Sequence, residues 1–457
     1  MEPNMIVRER MAVATEMQDQ LFVKALHVQN FKGFAELNIE FSKMCTIIIG
    51  DNGFGKTSIL DALAIGVGVR QTSLSGGQKY QRPIDKANEV RNVVTQFQSV
   101  EPQLPCKVIV KMDEPEKGEV VVGRVIGEDN KADIYYSRKA LRDHYRQIFA
   151  QVRKGETTEL PLISFHSVYR LMELDNRIVQ KTKVTYATQG SRLEGYDDCF
   201  SSKSSSKYFL SWYKTLKETS GQNDMDACFL EVFKECLLSC LADWRDFYYS
   251  PKMDDFVFVD KNGTAVQLHQ MSTGYRTMTG LVADLIYRCI KLNPQFGREA
   301  VARTRGLVMI DEIDLHLHPS WQRRIVSELH RCFPRIQFVV TTHSPMIVLG
   351  ASEEAQIVKL SGNGVVQDHD FDVKNYDMSL LLQSHLFDSV APHSPVWDEK
   401  IQERRSLLLK QQPTSDEKER LKQLDRELAV LSLGESEDEY KTRLLINKIA
   451  EQLHLEP

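Results

Sequence analysis

Two segments far apart in the chain carry complementary halves of one chemistry. Gly50-Asp51-Asn52-Gly53-Phe54-Gly55-Lys56-Thr57 fits the pattern G-x-x-x-x-G-K-[ST], and Leu307-Val308-Met309-Ile310-Asp311-Glu312 is an apolar run ending on two carboxylates. The first requires a strand, a tight turn and a helix in that order. It has them: Cys45 to Ile49 is apolar, and Ser58-Ile59-Leu60-Asp61-Ala62-Leu63 reads as a helix start. The second reads as a buried strand whose C-terminal edge meets the same ligand. A chain bearing both is expected to be an α/β protein of the P-loop kind.

The chemistry follows from the residue types. Glycines let the loop backbone curl so that its N–H groups face phosphate oxygens, Lys56 adds a point charge, and the Thr57 hydroxyl is suited to Mg²⁺. Nucleotide contacts are therefore expected along Gly50, Asp51, Asn52, Gly53, Phe54, Gly55, Lys56, Thr57 and Ser58, with ATP and Mg²⁺ as cofactors. Asp311 is the second expected metal ligand, and Glu312 the group that polarises the attacking water. Downstream, Ile336-Gln337-Phe338-Val339-Val340-Thr341-Thr342-His343 is another apolar run, ending on a histidine positioned to sense the γ-phosphate. The expected catalytic set is thus Lys56, Glu312 and His343.

A third element needs a serine at a helix N-terminus, where the dipole and hydroxyl attract a phosphate. Two segments compete for it. Leu74-Ser75-Gly76-Gly77-Gln78 is followed by Lys79-Tyr80-Gln81-Arg82-Pro83, which cannot continue as a long amphipathic helix. Met271-Ser272-Thr273-Gly274-Tyr275-Arg276 precedes Leu281, Leu285, Ile286 and Ile290 at helical spacing, and the strand at Leu307 comes next. The second is the better match to the signature of ABC-type ATPases, and that likeness implies that Ser272, Thr273, Gly274 and Arg276 face the nucleotide of another copy.

These motifs, with the opening Leu26-His27-Val28-Gln29-Asn30-Phe31-Lys32-Gly33-Phe34, resemble the ABC-type ATPases of the chromosome-maintenance, RecF and overcoming-lysogenization-defect group. Asp311-Glu312-Ile313-Asp314-Leu315-His316-Leu317-His318-Pro319-Ser320-Trp321-Gln322, Thr341-Thr342-His343-Ser344-Pro345 and Pro161-Leu162-Ile163-Ser164-Phe165 narrow the resemblance to the ATPase subunit of Septu-type anti-phage defence systems. The resemblance implies a two-lobed ABC-type head, Lys32 among the nucleotide contacts, ATP-dependent head-to-tail dimers and a separate HNH-type partner nuclease. A RecF-like ATPase acting directly on DNA and a nucleotide-gated scaffold with negligible turnover stay open as alternatives.

Composition limits the classes. No apolar run approaches the ~20 residues of a membrane helix, Met1 to Gln20 lack the apolar core of a secretory signal, and a cytoplasmic, non-membrane protein is expected. A net charge of −5 argues against a uniformly basic surface but leaves nucleic acid open as a partner through local patches. The eight cysteines include no C-x-x-C, and Cys236 and Cys240 read as core thiols of a reducing compartment.

Along the chain we expect an N-terminal extension (1–20), a first ATPase lobe (21–131), a mainly helical insertion without a long coiled coil (132–255), a second lobe (256–360) and a C-terminal helical extension (361–457). In the extension, Thr414-Ser415-Asp416-Glu417 has the form of a capping box before Leu421, Leu424, Leu428 and Leu431, so a helical hairpin and then a helix from about Ser436 are expected. This region is a possible docking platform for a partner. Asp368-His369-Asp370 reads as an acidic loop rather than a nuclease centre, because Glu353 and Glu354 are too close upstream to supply the missing carboxylate.

Overall fold

Alternation builds the first sheet. In β6 (Cys106–Glu114), Cys106, Val108, Val110 and Met112 are buried while Lys107 and Lys111 point away, so one face is a core and the other is wet. The computed structural model describes residues 21–73, 82–168 apart from 116 and 137–139, 191–200, 206–367 apart from 242, 254, 352–354 and 363, and 376–428 apart from 388–393, 409 and 411–413. Within it, β1 (Phe22–Phe31), β2 (Phe34–Glu40), β6, β7 (Gly118–Ile126) and β8 (Ala132–Tyr136) form an antiparallel sheet in the order β2-β1-β6-β7-β8. Strands β4 (Asn92–Val94) and β5 (Val100–Pro102) make a separate hairpin.

The second sheet has a different logic, because its inner strands are buried on both faces. The order is β16-β15-β3-β14-β13-β9, where β3 is Cys45–Gly50, β9 Leu162–His166, β13 Gly306–Ile310, β14 Ile336–Thr341, β15 Ala355–Ser361 and β16 Gly364–Gln367. Every pair is parallel except β15 with β16. Strands β9, β13 and β14 are buried at every position, as expected for a parallel sheet covered on both faces. Helix α1 (Lys56–Val67) touches β6 and β7 of the first sheet and β3, β13 and β14 of the second. All its residues except Thr57 and Ser58 are buried.

Three strands, β8, β9 and β10 (Trp244–Ser250), lie inside the segment expected to be a mainly helical insertion. β8 closes the antiparallel sheet, and β9 is an edge of the parallel one. Strands thus interrupt the helices of this segment; a five-residue run such as Leu162–His166 cannot be told from part of a buried helix by periodicity alone. Likewise β16 extends the six-stranded sheet past residue 360. Helix α2 (Ala140–Arg153) precedes β9, and α3 (Ser206–Thr219) and α4 (Asp224–Cys240) come after it. These two pack on β10 (Trp244–Ser250) and β11 (Asp255–Asp260) through Phe209, Tyr213, Phe233, Phe247 and Phe256, whose rings meet at 5.0–6.2 Å. Short β12 (Ala265–Gln267) completes that sheet.

Next come α5 (Thr273–Leu292), α6 (Ala300–Arg303), α7 (Pro319–Gln322), α8 (Ile325–Cys332) and α9 (Pro345–Leu349). Cys240, at the end of α4, is not the free core thiol expected from its sequence context; it is disulfide-bonded to Cys332 at the end of α8. A pairing across 92 residues leaves no local mark in a sequence. Cys236 remains a thiol, and burial pushes its pKa up to about 11. Among the described residues no helix is long and apolar enough to cross a membrane.

The chain divides into two compact units, Met1–Phe371 and Asp372–Pro457. In the second, α10 (Met378–Gln383) is capped by Asp377, whose carboxylate accepts from Leu380 N. Helices α11 (Pro395–Leu408) and α12 (Ser415–Leu428) form the expected hairpin. Its capping box closes reciprocally: Glu417 accepts from Thr414 N at 3.0 Å and Thr414 Oγ1 from Glu417 N at 3.4 Å. Ion pairs Arg420–Glu403 and Lys400–Glu427, both at 2.8 Å, set the antiparallel register, although exposed pairs of this kind add little stability. The N-terminal extension, the segment Leu74–Gln78, the acidic loop at Asp368 and the helix from Ser436 lie outside the described residues.

Candidate nucleotide site

The site begins where β3 runs out. Gly53 and Gly55 both have φ of +90°, in the left-handed region that side chains resist, so the loop can turn back on itself. At Gly55 a side chain would also strike the ring of Phe34, 2.6 Å from the position of its Cβ. Phe34 thus ties the opening segment to the loop. Lys56 reaches back across the curl, donating to Gly50 O at 2.7 Å and Asp51 O at 3.0 Å. Burial lowers the pKa of its ammonium, against the opposing pull of Glu312, Asp311, Asp51 and Asp314. An incoming phosphate would favour the charged form still more.

The two halves predicted from sequence meet. Thr57 Oγ1 donates to Asp311 Oδ2 at 2.9 Å, with Oδ1 at 3.2 Å. Asp311 is buried at the end of β13, and its N–H donates to His166 O on β9 at 2.8 Å. Glu312 comes next with a φ of +45°, an uncommon conformation for a side-chain-bearing residue, of the kind that clusters at functional sites. Residues of β14 hold this turn. Thr341 Oγ1 accepts from Glu312 N at 2.8 Å and donates to Asp311 Oδ1 at 2.6 Å, while Thr341 O accepts from Ile313 N at 3.0 Å.

His343 is exposed just beyond β14, next to Thr342, whose hydroxyl donates to Asp314. Ser344 caps α9 and donates to Gln322 Oε1 at 2.6 Å. Lys32 has a different setting: it pairs with Asp61 of α1 and lies 3.7 Å from Glu89, beside Arg82, which pairs with the same two acids. Asp51, Asn52 and Gly53 are exposed at the loop tip, and Phe54 and Ser58 are half-buried.

Ser272 sits immediately before α5, a 20-residue helix, and both Ser272 and Thr273 are exposed. The Ser272 hydroxyl accepts no capping hydrogen bond from the helix. Gly274 lies against the turn after the carboxylate pair: a Cβ there would come within 2.4 Å of His316 O. Tyr275 donates to Asp243 Oδ2 at 2.7 Å, Trp321 Nε1 donates to the same oxygen at 3.0 Å, and Arg324 pairs with it at 3.0 Å. Burial alone would raise the Asp243 carboxyl, but Tyr275, Arg324 and Trp321 outweigh it and hold its pKa below the usual carboxylate range. Asp243→Ala would strip three donors of their acceptor, so we expect a loss of about 1–3 kcal/mol, discounted toward the low end for partial exposure. A lowered thermal midpoint by scanning calorimetry checks this.

Sequence reasoning missed a cluster of buried charge behind the carboxylate pair. Arg288 and Asp284, one turn apart on α5, pair at 2.8 Å, and Arg288 also donates to Gly195 O at 2.7 Å. Burial would lower the Arg288 pKa, yet Asp284 raises it on balance. His166 Nε2 lies 3.7 Å from Asp284 and 2.9 Å from Ser164 Oγ, on the strand whose last carbonyl holds Asp311 N–H. The i, i+4 Asp–Arg spacing was visible; its burial was not.

Residues 22–366 match the family model described as the RecF/RecN/SMC N terminal domain. The chain is similar to a retron Ec83 probable ATPase of Escherichia coli, 26% identical over 88% of this chain and 83% of that one. It is similar to a retron Vc95 probable ATPase of Vibrio cholerae serotype O1 biovar El Tor, 25% identical over 73% of this chain and 72% of the other. A Septu protein PtuA of Bacillus mycoides is 25% identical over 90% of this chain, which spans 51% of that longer protein. The family match runs through the phosphate loop, the carboxylate pair and both sheets, and the chain belongs to the RecF/RecN/SMC N-terminal-domain family of ABC-type ATPases.

Proposed function

We propose that the chain binds ATP with Mg²⁺ at Gly50–Thr57 and Asp311, and hydrolyses it between two copies packed head to tail. The observation that carries this reading is the hydrogen bond from Thr57 to Asp311, which brings the two oxygen donors of a Mg²⁺ site together from distant parts of the chain. Mg²⁺ takes one or two protein oxygens and completes its shell with phosphate and water, a demand these residues fit. When bound it would neutralise charge on the phosphate oxygens. Lys56 supplies a further cation, the carboxylate of Glu312 orients and polarises the attacking water, and His343 contacts the γ-phosphate. Ser272, Thr273, Gly274 and Arg276 act on the nucleotide of the other copy; the exposed, uncapped Ser272 at the start of a long helix supports this role.

The biological setting rests on the similarity to Septu and retron proteins. In our reading, nucleotide state governs a separate HNH-type nuclease in anti-phage defence, and the C-terminal extension holds that partner. Among the described residues nothing in the tail offers a metal cluster for cleavage. Co-purification with the product of the adjacent gene, and then a nucleic-acid cleavage assay with and without ATP, tests the proposal. Truncation after Asp388 should leave ATP binding measurable and abolish partner capture. A truncated chain that still retains the partner would refute the docking role, and DNA-stimulated turnover without any partner would favour a RecF-like activity instead.

A further inference from the structure

Strand β14 lies between the two strands that end in the nucleotide site. Its Val340 is level with Ile310 of β13, just before the carboxylate pair, and its Thr341 with Ile48 of β3, just before the phosphate loop. Every residue of β14 is buried, so the strand ends on a hydroxyl inside a covered sheet. Burying a hydroxyl costs free energy unless it is hydrogen-bonded, and valine would fill almost the same space without that cost. What distinguishes Thr341 from valine is its oxygen.

That oxygen both donates and accepts. Its proton goes to Asp311 Oδ1 at 2.6 Å, and it takes the Glu312 N–H at 2.8 Å. The Thr341 carbonyl accepts from Ile313 N at 3.0 Å, and the Thr342 hydroxyl donates to Asp314. Four successive residues, 311 to 314, are thus tied to the end of β14. Glu312 most needs the tie, because its φ of +45° is a conformation that persists only where the surroundings impose it.

We infer that Thr341 is a positioning residue for the proposed hydrolysis, acting through Glu312: its hydroxyl holds the left-handed turn from which the water-polarising carboxylate extends. The inference rests on the role proposed for Glu312. Without the hydroxyl, the Glu312 backbone would relax toward the ordinary regions of φ, and its carboxylate would leave the place where it polarises water. Asp311 would keep its contacts with Thr57 and the hydrogen bond from its N–H to His166 O, so nucleotide and metal binding should survive. A hydroxyl that served only the packing of the sheet would behave differently. Its removal would lower stability and leave turnover by the folded chain unchanged.

The test measures kcat and KM for ATP in the full chain, below the unfolding midpoint of each variant. Thr341→Val should lower kcat about tenfold or more, the scale of a misplaced reacting group, with KM within about twofold. Thr341→Ala, which also lacks the hydroxyl, should do the same, so that misfolding of one variant leaves the other to report. Thr341→Ser keeps the oxygen and should hold kcat within about threefold of the unsubstituted chain. In a Glu312→Gln background, adding Thr341→Val should cost less than about twofold more, because the group it positions is already gone. Unchanged kcat in folded Thr341→Val, an equal loss in Thr341→Ser, or the same loss with and without Glu312 would each overturn the inference. So would the failure of both hydroxyl-free chains to fold, which would make the hydroxyl structural. If Glu312→Gln alone turned over normally, the proposed role of Glu312 would be the part that fails, and Thr341 would have nothing to position.

Discussion

Glu312→Gln should lower ATP turnover about a hundredfold or more, the scale expected when a positioned base is removed, while leaving ATP binding intact. The substitution spares Asp311 and Thr57. It also spares the hydrogen bond from the Glu312 backbone N–H to Thr341, so the left-handed turn at this residue persists with the amide side chain. Hydrolysis would stop with the nucleotide still in place, and head-to-tail pairs would accumulate. Light scattering after size exclusion should then give a doubled mass with ATP and a single mass without it. A variant whose mass ignores nucleotide would sink the composite-site proposal, even if turnover fell as expected.

Ser272→Arg should likewise reduce hydrolysis about a hundredfold or more, the scale of losing a donor aimed at developing charge, with ATP affinity at the phosphate loop unchanged. The long side chain would project from the exposed start of α5. Ser75→Arg serves as the control and should leave turnover near that of the unsubstituted chain. Paired turnover and nucleotide-binding measurements decide between the two segments. If Ser75→Arg were the inactive variant, the assignment of the signature to Ser272 would be wrong.

The parts of this molecule that could be read from sequence are those whose physical demand is local. A phosphate loop needs glycines, a lysine and a hydroxyl within eight residues, and the structure gives Gly53 and Gly55 the backbone that only glycine adopts easily. The capping box at Thr414 and Glu417 is equally local and closes as expected. That Ser272 stands at a helix start was legible because the helix after it is long enough to be buried over most of its length. Other features depend on meetings between distant residues. β9 is a strand because it pairs with β13, not because of anything peculiar to Leu162–His166. The Cys240–Cys332 pairing, the His166–Asp284–Arg288 cluster and the convergence of Tyr275, Trp321 and Arg324 on Asp243 belong to the same kind. Lys32 lay in a motif-bearing stretch, yet its ion pair with Asp61 could only be seen once α1 was in place.

Thr341 serves two masters with one oxygen, and that arrangement bears on tolerance to error. Since the same hydroxyl receives the Glu312 N–H and donates to the Asp311 carboxylate, a small drift of β14 carries both acids in the same direction. Their spacing from each other is preserved while their common position shifts. Thermal jitter in the strand thus becomes shared motion of the Asp311 carboxylate and the Glu312 backbone rather than misalignment, without either being clamped rigidly.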